Sequence, residues 1–341
     1  MTDSNETAQV ESADELYDIT IIGGGPVGLF GAFYAGLRQL KTKIIDSLPE
    51  LGGQLNALYP EKYIFDMPGF PKILARDLAN QMIEQGTRFS PAICLDEKVL
   101  QLVTEEDGTF TLTTNIATHR TKTVVIATGA GAFSPTKLAN ESLDTFEGNG
   151  VYYFVKDKAK FQDKHLLIIG GGDSALDWAM NLEEVAGSVT LIHRRDVFRA
   201  HEESVDWLLN RSQVNVRLWN ELKEVRGEGR LEVATILHSK TKEEETLPVD
   251  AVLLNLGFKA DIGPLREWGL ELHGSKKVVV NHLMETSIEG VYAAGDIAHY
   301  DGKLDLIATG VGEICLAVNR VKIRIDPKAK LFPGHSSNLS L

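Results

Sequence analysis

A chain of 341 residues, 43% hydrophobic and 24% charged, reads as an ordinary water-soluble protein with core enough for two domains. Its net charge of -13 argues against general nucleic-acid binding and against anionic membranes, while leaving room for a local basic patch. Its two cysteines, Cys94 and Cys315, stand far apart and outside any C-x-x-C, which argues against a disulfide framework and a cysteine-based metal site. Both read as small buried apolar residues, and no metal is expected.

Residues 1–15 carry Asp3, Glu6, Glu11, Asp14 and Glu15 but no Lys or Arg. They lack the basic region of a signal peptide and read as the flexible leader of a cytoplasmic protein. No apolar run approaches the roughly 18 residues of a membrane span. Residues 19–22 form a short apolar run, the pattern of a buried strand. A glycine turn follows, with Gly23, Gly25 and Gly28 at G-x-G-x-x-G spacing around Pro26 and Val27. An apolar, small-residue helix is expected over 27–40, and a second strand over 43–46 ends in Asp46. In such a module the first glycine makes the turn and the second admits a pyrophosphate. The third lets helix and strand pack closely. The helix N-terminus offers free N–H groups to the phosphate, and the acid can accept from a ribose hydroxyl.

Residues 51–71 hold Gly52-Gly53-Gln54, Tyr59-Pro60 and Met67-Pro68-Gly69-Phe70-Pro71, turn chemistry too long for an idle connection. An amphipathic helix is expected over 74–89 and strands over 92–95 and 99–104. Asp107-Gly108 predicts a hairpin turn, with 109–114 returning. A buried strand over 123–129 ends in Ala127-Thr128-Gly129.

The opening pattern then recurs. Residues 165–169 are a strand, followed by Gly170, Gly172 and Ala175 at G-x-G-x-x-A spacing, with Asp173 and Ser174 opening a helix over 174–185. The next strand, 188–192, ends in His193, Arg194 and Arg195, with Arg199 close behind. A carboxylate at this point accepts from a ribose 2′-hydroxyl, whereas arginines pair with a 2′-phosphate. The second module therefore calls for NADP(H). A helix over 201–211 and strands over 214–218, 231–237, 251–254 and 278–280 follow. Residues 290–296 end in Gly295-Asp296, a helix lies within 304–324, and the tail from Leu331 reads as a loop.

Two dinucleotide modules with opposite chemistry imply two different dinucleotides. A redox partner able to take a hydride from NADPH is required, and FAD fits. The cofactors then do the chemistry, with nicotinamide C4 near flavin N5, and no acid–base residue is expected.

Gly23 to Gly28, Gly52-Gly53-Gln54, Ala127 to Ala130, Gly170 to Ala175, His193 to Ala200 and Ala294-Gly295-Asp296 span the chain in an order that resembles the thioredoxin-reductase-like flavoproteins. One departure is informative. Phe154 and Asp157 stand where those enzymes carry a redox C-x-x-C, so a dithiol relay is impossible and electrons must leave the flavin directly. That departure, and a tail continuing through Phe332 to Ser337, resemble the ferredoxin–NADP+ reductases of this type.

The resemblance implies an α/β protein of two Rossmann-like, three-layer domains. A FAD domain (16–130 and 256–341) is interrupted by a NADP(H) domain (131–255), with linkers near 130–133 and 255–259 about which the domains swivel. It implies that Tyr59 and Phe332 stack on the two flavin faces. Gln54, Val99, Phe133, Asp296 and Ser337 are further FAD contacts, Val99 through its backbone. The implied activity is hydride exchange at flavin N5 followed by two single-electron steps with ferredoxin. A homodimer is also implied. Acidic ferredoxin would dock on a basic patch, either Lys156, Lys158, Lys160 and Lys164 or Arg320, Lys322, Arg324, Lys328 and Lys330. Two alternatives stay open: a reductase of flavodoxin, a quinone or a small disulfide, and a non-turnover sensor of flavin or NADPH state.

Overall fold

The computed structural model describes residues 15–274, 276–332, 334 and 335. The expected leader, apart from Glu15, and Ser337 lie outside the described residues. The strands of the two main sheets are, in chain order, β1 (Ile19–Ile22), β2 (Thr42–Ile45), β3 (Ala92–Cys94), β4 (Val124–Ile126), β5 (Val151–Tyr152), β6 (His165–Gly170), β7 (Ser188–His193), β8 (Asn215–Leu218), β9 (Ala251–Asn255) and β10 (Val291–Ala293). The principal helices are α1 (Pro26–Leu37), α2 (Ala75–Gly86), α3 (Asp173–Glu183), α4 (Glu202–Asn210) and α5 (Ile307–Ile325). The chain divides into two compact units. The first takes the described residues up to Ala57, Tyr63–Ala132 and those from Ala260 on; the second takes Leu58–Lys62 and Phe133–Lys259.

In the first unit a five-stranded sheet runs β10-β4-β1-β2-β3, with every pair parallel. All four residues of β1 are buried, as a central parallel strand covered on both faces requires. Ile22 pairs with Ile45 on one side and Ile126 on the other, so β1, β2 and β4 end level with one another. The chain leaves β1 through α1 toward β2, while β4 flanks the other edge. That is the switch point where α/β sheets bind ligands. A second sheet of four strands joins Leu16–Tyr17, Thr118–Thr121, Phe110–Thr114 and Val99–Thr104, with the expected turn at Gly108.

Helix α1 opens on Pro26, whose fixed φ suits a first helical position. It stops at Leu37, short of the expected 40, because Gln39 takes a left-handed φ of 56° and the Leu40 amide turns back to the Ala35 carbonyl. Its small residues set how close the neighbours come. A Cβ on Gly31 would stand 2.6 Å from Ile314 of α5, and one on Gly86 of α2 2.9 Å from the Leu29 carbonyl.

The second unit repeats the plan as β5-β9-β6-β7-β8, again all parallel. One face of this sheet packs on α3 and α4 around fully buried Trp178. The other packs on an antiparallel sheet of Asn220–Arg226, Val233–His238 and Glu244–Pro248 through Leu222, Val225 and Ile236. Only the middle strand of that sheet was expected from sequence. The outer two are rich in charge, yet residues 220–226 largely alternate buried and exposed, which is what a half-covered strand needs.

The glycine turn tolerates no side chain at its crossing. A Cβ on Gly28 would lie 1.8 Å from the Gly23 carbonyl oxygen. Gly28→Ala should therefore push helix from strand and destabilise the fold by about 1–3 kcal/mol, read as a lower urea midpoint at unchanged m-value.

Candidate functional site

In the first unit the expected residues converge on the carboxyl end of β1. Gly25 is the N-cap of α1, no side chain caps the helix, and a Cβ on Gly25 would meet only the Gly53 Cα, at 3.8 Å. The helix N-terminus thus carries amides, a partial positive charge and open space, as a phosphate requires. Pro26 and Val27 form its first turn, and Val27 packs on Gly295. The Asp46 carboxylate braces the turn from β2: Oδ2 accepts from the Gly24 amide at 2.5 Å and Oδ1 from the Leu48 amide at 2.8 Å. Burial pushes its pKa up, against the pull of those amides. The Asp46 backbone is itself clamped, its amide on the Cys94 carbonyl and its carbonyl on the Glu97 amide, both at 2.9 Å. The 52–54 segment comes to the same place, for the Gly52 amide donates to the Gly24 carbonyl and Gln54 lies against Gly129.

Two polar groups here have no partner among the described residues. The Thr128 hydroxyl is buried without a hydrogen bond. The half-buried Asp296 carboxylate has no donor, and its pKa is raised by burial first and then by Asp305. A hydroxyl-rich ribityl and phosphate chain supplies what both lack, so these residues fit FAD. Val99 opens its strand as a buried residue, and Ala127 is buried at the end of β4. Phe332 is 61% exposed and meets His335 edge to face, its segment tied to α1 by Arg38 on the Lys330 carbonyl at 2.7 Å. Tyr59 falls in the segment counted with the second unit, where Lys62 pairs with Asp177 at 2.8 Å. Phe133 begins the second unit's main segment, and its side chain lies outside the described residues.

In the second unit Gly172 caps α3 without side-chain help, and Asp173 and Ser174 start the helix. A Cβ on Gly170 would stand 2.8 Å from the Ala175 methyl, so Ala175 is tolerated because Gly170 is bare. The His193 ring lies against Gly171 and stacks on Phe198. Burial, followed by the charges of Arg194, Arg195 and Arg199, holds its pKa below the usual value, so the imidazole is neutral at pH 7. The arginine run is anchored to the glycine turn, the Arg199 amide donating to the Gly171 carbonyl at 2.6 Å and the His201 amide to Asp173 at 2.8 Å. Arg194, Arg195 and Arg199 are exposed, and none has an ion-pair partner among the described residues. Three free guanidiniums fixed beside an uncapped helix fit a dinucleotide carrying an extra phosphate. Sequence reasoning missed Asn255, at the end of β9, whose buried amide oxygen has no partner among the described residues.

The sequence of residues 17–314 matches the family described as pyridine nucleotide-disulphide oxidoreductase. The chain belongs to that family. It is 51% identical to ferredoxin–NADP reductase 2 of Shouchella clausii over 331 residues, which is 97% of this chain and 100% of that one. It is 53% identical to the ferredoxin–NADP reductase of Halalkalibacterium halodurans, over 96% of this chain and 98% of that one. Among solved structures, the thioredoxin reductase of Lactococcus lactis is similar at TM-score 0.75 and 27% identity, over 89% of this chain and 97% of that one.

The disulphide in that family name needs two thiols, and this member of the pyridine nucleotide-disulphide oxidoreductases has Cys94 on β3 and Cys315 on α5, which form no disulfide with each other. Burial pushes the Cys315 thiol up to about 11, which keeps it protonated and inert. Cys94 is not the plain apolar residue expected. With Glu97 and His119 it places ligand-type atoms within 4.8 Å of one another. Lys43, buried, lies 3.0 Å from His119 Nδ1, and His119 Nε2 lies 2.6 Å from Glu97 Oε1. An ammonium donating to Nδ1 fixes the proton on Nε2, where it is donated to Glu97. The imidazole then has no lone pair left for a metal. Burial pushes Glu97 upward, but hydrogen bonds from His119 and Thr114 outweigh it and hold the carboxyl below its usual range.

Asp46→Asn offers one acceptor where the structure uses two, so a buried amide must face an NH2 group. The expected cost is about 1–3 kcal/mol, read in the urea unfolding of the variant.

Proposed function

We propose that this chain is a flavin-dependent oxidoreductase that moves electrons between NADP(H) and ferredoxin. One observation carries the reading. The two glycine turns present opposite chemistry, Asp46 beside the first and unpaired Arg194, Arg195 and Arg199 beside the second, in a chain with no paired thiols. The near-full-length similarity to ferredoxin–NADP reductases supports it. Bound FAD supplies the exchange between two-electron and one-electron carriers.

In this reading the first unit holds FAD and the second NADP(H). The α1 N-terminus and Gly25 receive the pyrophosphate, and Asp46 keeps the turn in shape and accepts from ribose. Thr128, Gly129 and Gln54 receive the polar chain with Gly295 and Asp296. Phe332 would cover the isoalloxazine and Val99 would add a contact, while Tyr59 and Phe133 are counted with the second unit. In the second unit Gly170, Gly172, Asp173, Ser174 and Ala175 form the phosphate turn, and His193 with the three arginines holds the 2′-phosphate. Phe154 and Asp157 provide no thiol. Asp157 instead accepts from the Ala159 amide at 2.9 Å. A flavin bound here would therefore have no dithiol of this chain to hand electrons to. We place the protein in the cytoplasm as a homodimer. Among the described residues no helix is long and apolar enough to cross a membrane.

The share of each basic group that an acid neutralises guides our choice of docking surface. On α5 the fold supplies acids that lie 35 residues away in sequence. Arg320 pairs with Glu285 at 2.9 Å and Arg324 with Glu289 at 2.5 Å. Lys156, Lys160 and Lys164 have no carboxylate partner among the described residues, and Lys158 binds the neutral Asn181 at 3.0 Å. Lys322, Lys328 and Lys330 have no carboxylate partner among the described residues either, but the two arginines of their group are neutralised, so we assign the lysine group to ferredoxin.

Arg194→Ala and Arg199→Ala should each raise the KM for NADPH by about tenfold or more and leave that for NADH unchanged, as expected for a charge-assisted bond worth about 1.5–3 kcal/mol. Equal losses with both nucleotides would refute the 2′-phosphate assignment. Reversing Lys156 and Lys160 to Glu should cut ferredoxin-dependent kcat/KM about fivefold or more at low salt, and added salt should shrink the difference. NADPH:ferricyanide turnover should not change. An equal loss with ferricyanide would refute the docking assignment.

A further inference from the structure

Below Gly295-Asp296 lies a buried charge pair that makes none of the cofactor contacts assigned above. Glu313, on the second turn of α5, and Lys303 have side chains 4% and 3% exposed. Lys303 Nζ lies 2.6 Å from Glu313 Oε1, and the Tyr300 hydroxyl donates to the same oxygen at 2.7 Å. The other oxygen, Oε2, accepts from the Gly295 amide at 2.8 Å. Gly295 is also where three elements meet. A Cβ on Gly310, in the first turn of α5, would stand 3.2 Å from the Gly295 Cα and 2.5 Å from Val27 of α1. The carboxylate therefore fixes the one peptide that joins both helix N-termini to the unpartnered Asp296. Burial, followed by the Glu313 hydrogen bond, pushes Tyr300 up to about 12, so it stays a donor.

A fully buried ion pair is a poor way to gain stability, because desolvation consumes most of the attraction. Its position suggests another use. We propose that Glu313 and Lys303 act as a positioning pair for the flavin. The carboxylate holds the Gly295 peptide in place for the cofactor, and the ammonium that balances it sets the local charge on which the cofactor's redox potential depends. The proposal rests on the first unit being the FAD site. Electrostatics gives the sign. Neutralising Glu313 alone strands a cation beside the site, which favours the more negative, reduced cofactor. Neutralising both partners removes that bias but leaves Gly295 with a weaker acceptor.

The test uses full-length protein, with FAD affinity measured by titrating the apoprotein and midpoint potential by dye equilibration. Glu313→Gln should favour reduced FAD by about tenfold, which is roughly 30 mV for a two-electron couple. Adding Lys303→Met should cancel that shift. The double variant, which carries no stranded charge, should still bind FAD at least threefold more weakly than the wild type. A wild-type potential in Glu313→Gln, or a shift that persists undiminished in the double variant, overturns the electrostatic role. Wild-type FAD affinity in the double variant overturns the positioning role, and decides the matter if Glu313→Gln does not fold. A wild-type chain that binds no FAD at all overturns the underlying reading together with the proposal.

Discussion

The structure depends on one steric constraint, that a strand end and a helix start must touch with nothing between them. In the first unit the contact is the Gly23 carbonyl under Gly28, where a single added carbon would sit at 1.8 Å. Because the helix begins there, its first amides cannot be capped by a side chain without filling the space a ligand needs. Gly25 and Gly172 leave both of these helix ends without a side-chain cap. The second unit meets the same constraint with one carbon more. Ala175 carries the methyl and Gly170 gives way. The parallel sheet, the level strand ends and the small-residue face of α1 are conditions for this contact.

Once the two turns share a shape, they are told apart by the residues just past the second strand of each module. Asp46 turns inward, spends both oxygens on backbone amides and becomes part of the turn. Arg194, Arg195 and Arg199 stay outside, held by the Arg199 and His201 backbones while their guanidiniums have no ion-pair partner among the described residues. One turn is thus stiffened by a buried acid and the other is bordered by free cations. Membership of the pyridine nucleotide-disulphide oxidoreductase family fits this pairing of two dinucleotide modules. The disulphide half of that chemistry has no residues here.

What was legible in the sequence was what is local. Glycine spacing, apolar runs and the Asp46-versus-arginine contrast each lie within about thirty residues, and the elements carrying them were found with ends shifted by a few positions. What was hidden is long-range and polar. Lys43 reads as the start of an ordinary strand, yet its ammonium is buried against His119, 76 positions away. Thr118–Thr121, a strand of four polar residues, is invisible to hydrophobic periodicity because its buried members, His119 and Thr121, are held by hydrogen bonds. In the basic run near the chain end, Arg320 and Arg324 meet Glu285 and Glu289, acids that arrive only in the fold. Glu313 shows the same limit, for no spacing rule reveals that a helical acid faces the Gly295 amide.

The central claim is that electrons leave this protein from the flavin itself. The direct test is steady-state oxidation of NADPH by the purified protein with two acceptor systems, ferredoxin plus cytochrome c and thioredoxin plus a disulfide dye. The account predicts turnover with ferredoxin and none with thioredoxin, both unchanged after alkylation of accessible thiols. Turnover of thioredoxin, or loss of ferredoxin activity on alkylation, would mean that a thiol relay exists and would contradict it.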